Sequence, residues 1–138
     1  MRFPLLATFC LLLLCAAVSS AQSSTADPLA SLRSARLIYV DSSSLLVGHS
    51  VIEEKLQQRR EFSQLGLAIT RDANEADLIL EVHHDLFTKY VYTAVDRRSK
   101  IIVASGKLSS LGGTVAGKVA KRFLKDVMKA RATPTAKT

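Results

Sequence analysis

The chain has 138 residues, with 19 Lys and Arg against 12 Asp and Glu and a formal net charge of +7. Almost half of it is hydrophobic, so it can form one hydrophobic core, but its length excludes two domains of ordinary size. Charge is unevenly spread: residues 22–96 carry 7 basic and 11 acidic side chains (net −4), whereas residues 97–138 carry 11 basic ones against Asp126 alone (net +10).

The amino terminus predicts export. Met1-Arg2-Phe3-Pro4 is a short positive segment, and the apolar stretch Leu5 to Val18 falls short of the roughly 20 residues a bilayer span needs. A polar run follows, with a small-x-small pattern that places cleavage after Ala21. Residues 1–21 therefore read as a signal peptide, and the mature chain from Gln22 is expected to be periplasmic or secreted, not transmembrane. A lipoprotein signal would need a small residue before Cys15, and Leu14 stands there. Cys10 and Cys15 are the only cysteines and both lie in the signal, so the mature chain offers no thiol nucleophile, Cys-based zinc site or iron–sulfur cluster. Exported proteins seldom meet nucleic acid, so the basic half points to an anionic lipid, a glycan or an acidic protein surface, or is a solvated face.

Residues 22–34, rich in Ser and Ala with Pro28, read as a linker or loose arm, followed by a single domain over 35–131. Arg36 to Asp41 is a first strand, apolar at successive positions. Ser50 and Glu53 match a capping box, so a helix is expected from Ser50 to Phe62 or Leu65, with Gly66 as its stop. Leu67 to Thr70 is a second strand, parallel to the first through a crossover. Leu78, Leu80 and Val82 alternate with Ile79, Glu81 and His83 in a third. Lys89 to Val95, the turn Asp96 to Lys100, and Ile101 to Leu108 complete an antiparallel meander. Gly112-Gly113-Thr114 opens a closing helix with Val115, Val119, Phe123 and Val127 in one row, and residues 132–138 form a disordered tail. The fold class is α+β: a mixed sheet of about five strands in the order β-α-β-β-β-α, with two helices on one face.

This order, with Ala76-Asp77-Leu78-Ile79-Leu80 and the later run Val95 to Gly106, resembles a group of bacterial exported envelope domains. The group includes the amino-terminal domain of TolB, the periplasmic domain of the curli secretion lipoprotein, activator lipoproteins of peptidoglycan synthases and related uncharacterised exported families. The resemblance spans about residues 36–131 and rests on structural positions. It departs from the group's pattern at Ser99, where Gly is usual, and at Ala104, where an aromatic is frequent. It implies a non-enzymatic role in protein binding or assembly and transfers no catalytic residue.

Three constellations could carry chemistry. Lys118, Arg122, Lys125 and Lys129 recur at helical spacing, forming one cationic stripe suited to an anionic lipid or polysaccharide. Glu81, His83 and Asp85 share one strand face, with Tyr90 and Tyr92 expected beside them, alongside Ser105 and Lys107; this face could recognise a partner, a small ligand or a metal. Gly112 to Lys118 fits G-x-x-x-x-G-K, yet Val119 stands where a phosphate-binding loop needs a hydroxyl for Mg²⁺. A hydrolase triad would have to draw on His49, His83 or His84 without a G-x-S-x-G, and Asp41 at the end of the first strand lacks an evident second acid. The expectation is an exported, non-enzymatic module without a cofactor, whose partner is an envelope protein or, alternatively, an anionic lipid or glycan.

Overall fold

The computed structural model describes residues 27–86, 88–110 and 114–133. Residues 1–21, read above as a signal peptide, residues 22–26, Gly112, Gly113 and residues 134–138 of the expected tail lie outside them, while Ala132 belongs to the last helix. Nine elements follow in chain order: α1 (Pro28–Ser34), β1 (Leu37–Ser42), α2 (His49–Gln57), α3 (Arg60–Gln64), β2 (Ala68–Ile69), β3 (Leu78–Leu86), β4 (Lys89–Asp96), β5 (Ile102–Ser109) and α4 (Val115–Ala132). The five strands form one sheet in the order β2-β1-β3-β4-β5. β1 pairs in parallel with β2 and β3, and β3-β4-β5 is antiparallel, the mixed α+β sheet expected from the pattern.

One face of this sheet builds the core. Ile38 and Val40 of β1, Leu78, Leu80 and Val82 of β3, and Tyr90, Tyr92 and Ala94 of β4 are all buried there. Period-two alternation aims these residues to the same side, and α4 closes over them with Val115, Val119, Phe123 and Val127. All four helices contribute to this one core rather than the two expected.

The difference begins at the amino-terminal end. Residues 28–34, read as part of a linker or loose arm, form α1, capped by Asp27, whose carboxylate accepts from Leu29 N at 3.0 Å. Leu32 is 1% exposed, so burial of a single leucine turns a Ser/Ala-rich stretch into a docked helix. The helix expected from Ser50 divides at Gln58 and Arg59, where Arg59 adopts extended backbone (ψ 129°). An unbroken helix would set Phe62 about 120° round from Leu56, and the break lets both enter the core. The capping box does not form: α2 begins at His49 behind Gly48 with no side-chain cap, and Glu53 pairs instead with Arg71 at 3.3 Å. Gly66 ends α3 as expected, at φ +60°, with Leu67 N bonded to Phe62 O and Gly66 N to Ser63 O.

The two aspartates in the resembling segments have local work. Asp77 Oδ2 accepts from Arg36 N (2.8 Å) and Leu37 N (2.9 Å), satisfying amides at the entry to β1. Asp96 Oδ1 accepts from Ser99 N (2.7 Å) and Ser99 Oγ (2.9 Å) and so shapes the β4–β5 turn. Burial alone would raise the Asp96 pKa, but donation from Ser99, Ser31 and Arg98 holds it below the ordinary value of 3.8. Lys100 completes the turn at φ +60°, a left-handed backbone that non-glycine residues adopt at a cost.

Candidate functional site

The opposite face of the sheet is the first candidate surface. Cross-strand register places Tyr39, Ile79, Val95 and Ile102 in one row across β1, β3, β4 and β5. A second row is polar: Asp41, Glu81, Thr93 and Ser105. His83, Val91 and Lys107 form a third. Tyr39, Ile79, Val91 and Val95 are half-buried by their neighbours within the sheet, Ile102 is 57% exposed, and no strand residue of this face belongs to the buried core. Among the described residues no helix layer covers it.

Glu81 and His83 lie on this outer face as expected, and Asp85 is exposed near the end of β3. Tyr90 and Tyr92 do not join them. Their register partners are His84 and Val82, which puts both rings on the helix-covered face, 2% and 0% exposed. Either set of alternate residues in β4, Tyr90-Tyr92-Ala94 or Val91-Thr93-Val95, could face a core; pairing with β3 selects the first. Tyr92 lies across Gly106 of β5, where an added Cβ would sit 2.5 Å from the ring, and its hydroxyl donates to Asp126 on α4 at 2.5 Å. Burial, then the Asp126 carboxylate, push the Tyr92 pKa far above its usual value, against the opposing pull of nearby Arg122.

Sequence reasoning missed Ser43. Its Oγ shares a 2.7 Å hydrogen bond with His83 Nδ1, while Glu81 Oε2 stands 3.6 Å from His83 Nε2. The order Ser-His-Glu has the composition of a catalytic relay. The carboxylate is beyond hydrogen-bond distance of the ring, and His83 is half open to water. No signal in the sequence joins positions 43 and 83; they meet because β1 and β3 are parallel neighbours. Asp41, His49 and the Glu53–Arg71 pair border a depression of about 150 Å³ at the end of β1. Among the described residues no three His, Asp or Glu side chains converge closely enough to hold a metal ion.

The second candidate surface is the cationic stripe. Lys118, Arg122, Lys125 and Lys129 are exposed on α4, but the stripe is not centred opposite the apolar row. The other flank of α4 meets α2 and α3, where Arg59 donates to Gly117 O (3.3 Å) and Arg131 to Leu65 O (2.6 Å). The stripe therefore leans toward β5: Lys118 Nζ donates to Ser109 O at 3.0 Å, and Arg122 lies close enough to Tyr92 to bear on its hydroxyl. Farther along, Lys129 joins Leu29, Leu32, Val103 and Ala130 around a groove of about 300 Å³ between α1, α4 and β5. None of the described helices is long and apolar enough to cross a membrane.

No family model matches the chain, and no curated protein does. Among solved structures it is similar to a PelC point variant from Paraburkholderia phytofirmans, a dodecamer, at 12% identity and a TM-score of 0.42, covering 67% of this chain and 87% of that one. It is also similar to a hemagglutinin homolog from Helicobacter pylori, at 13% identity and a TM-score of 0.29, covering 70% of this chain and 83% of that one. At these scores neither assigns a family or a function.

Proposed function

We propose that the chain is a non-enzymatic, exported envelope module that binds another protein, in keeping with its resemblance to the TolB amino-terminal and curli secretion lipoprotein domains. The observation that carries this reading is the uncovered outer face of the sheet, with Tyr39, Ile79, Val95 and Ile102 aligned across four strands. A sheet with one packed and one bare face is stable only if the bare face is polar or the strand neighbours shield it, and an apolar row rimmed by Glu81, His83 and Lys107 has the make-up of an interface core within a polar rim.

The test is capture from envelope extract by the exported chain, beside Ile102→Asp, Tyr39→Ser and a variant with Lys118, Arg122, Lys125 and Lys129 changed to Gln. A defined protein that the wild type retains and the outer-face variants lose supports the reading. Retention of anionic vesicles or polysaccharide that the Gln variant loses, with no protein captured, overturns it in favour of the cationic helix.

A further inference from the structure

The two ends of the sheet are unlike. At one end β2 is two residues long, so little of it is open to further pairing. At the other, β5 runs for eight residues, Ile102–Ser109, and among the described residues no strand pairs with its outer side. Among the described residues, no backbone or side-chain hydrogen bond reaches that side between Ile102 and Leu108; at Ser109 the Lys118 ammonium covers the carbonyl. A free strand edge of this length is a template for another strand unless charge, a bulge or a covering element blunts it. The bulge between Ala94 and Val95 in the β4–β5 ladder falls near the start of β5, which leaves Ala104 to Leu108 in regular register.

What lies beside the edge decides what can add there. Ala104, Gly106 and Leu108 belong to the helix-covered side of β5, since they pair with Ala94, Tyr92 and Tyr90. A strand laid along β5 would send every second side chain to that same side. Opposite Ala104 such a side chain would meet the groove of about 300 Å³, with apolar walls from Leu29, Leu32 and Val103 and with Lys129, Asp126 and Ser105 also lining it. Opposite Gly106 it would meet the neighbourhood of the Tyr92 hydroxyl, which donates to the Asp126 carboxylate and on which Arg122 also bears. Opposite Leu108 it would approach Lys118, which is anchored at Ser109. The order along the edge is thus an apolar-walled groove, a mixed position where Arg122 faces an Asp126 already engaged by Tyr92, and a cationic one.

We propose that β5 is an acceptor edge for an extended acidic segment of a partner protein, which adds a sixth strand and places an apolar residue in the groove and acidic residues, two and four positions away, against Arg122 and Lys118. This assignment rests on the protein-binding reading and gives the cationic stripe a role in it: main-chain pairing holds the segment, and the cations select its charge. Lys125, at the crest of the stripe and away from the edge, takes no part.

The probe is a pair of acetylated and amidated nine-residue peptides in which Val, Glu and Glu alternate with Thr, one in each direction, assayed by fluorescence anisotropy at low ionic strength. Binding of one direction, at least tenfold weaker with Arg122→Gln or Lys118→Gln and unchanged with Lys125→Gln, is expected. N-methylation of alternate amides should abolish binding in one register and spare it in the other, and hydrogen exchange should slow at residues 102–108. The proposal is overturned if neither peptide binds, if Gln in place of Glu binds equally, if both N-methylated registers bind unchanged, or if protection appears on the outer face instead. The capture experiment above separates these failures: a protein that the Gln variant still retains and the outer-face variants lose sustains the binding reading while the edge assignment falls, and no captured protein removes both.

Discussion

Successive residues of β3 lead opposite lives. Leu78, Leu80 and Val82 are each 0% exposed beneath α4, while Ile79 and Glu81 are half-buried and His83 is exposed on the bare side. The buried set is constrained by volume, because a close-packed core registers the loss of a single methylene. The outer set is constrained only by its strand neighbours, so it can be given over to recognition without disturbing the fold. The same contrast holds along β4, where Tyr92 reaches α4 through the core while its neighbours Val91 and Thr93 lie on the open face.

The largest effect should come from the buried side. Leu80→Ala is expected to destabilise by about 2–5 kcal/mol in urea unfolding, whereas Glu81→Gln and His83→Ala should stay within about 0.5 kcal/mol. A large loss at His83 would mean that the outer face is part of the core after all. Gly106→Ala comes next: its Cβ would meet the Tyr92 ring, and a loss of about 1–3 kcal/mol is expected. In a double-mutant cycle, that loss should shrink when Tyr92 is replaced by Leu, and strict additivity would deny the contact.

Alkaline titration sharpens the comparison further. The folded-state pKa of Tyr92 is raised, so its contribution is fully present below the unfolded value of 10.0 and is lost as pH climbs above it, where the unfolded state ionises first. Unfolding midpoints should therefore fall above pH 10, and less steeply in Tyr92→Phe. The smallest expected effect is at the β4–β5 turn. Lys100→Gly relieves a left-handed backbone but frees the unfolded chain, for a net gain of up to about 1 kcal/mol in the unfolding free energy.

Much of this was legible because it is local. The alternation at 78–83, the Gly66 stop and the row from Val115 to Val127 are properties of neighbouring residues, and they appear in the fold with shifts of one or two positions at element ends. The Ser50–Glu53 box is a local signal that lost to a tertiary one, since Glu53 meets Arg71 across the crossover.

The candidate surfaces were half legible. Glu81 and His83 share a face by periodicity alone, but Tyr90 and Tyr92 could be assigned to a face only once β4 was paired with β3, and their burial needs the space above Gly106. The helical period likewise gathers Lys118, Arg122, Lys125 and Lys129 into one stripe, while the packing of α4 against α2 and α3 turns that stripe toward β5.

By itself the sequence determined the α+β class, the order of the strands along the chain and which residues recur together on each element, because propensity and periodicity act over a few residues. Only the tertiary structure decided which β4 face is buried, that residues 28–34 dock as a helix, that Ser43 meets His83, and that the cations lean toward β5. Each of these depends on register or packing between segments far apart in the chain, which no local pattern encodes.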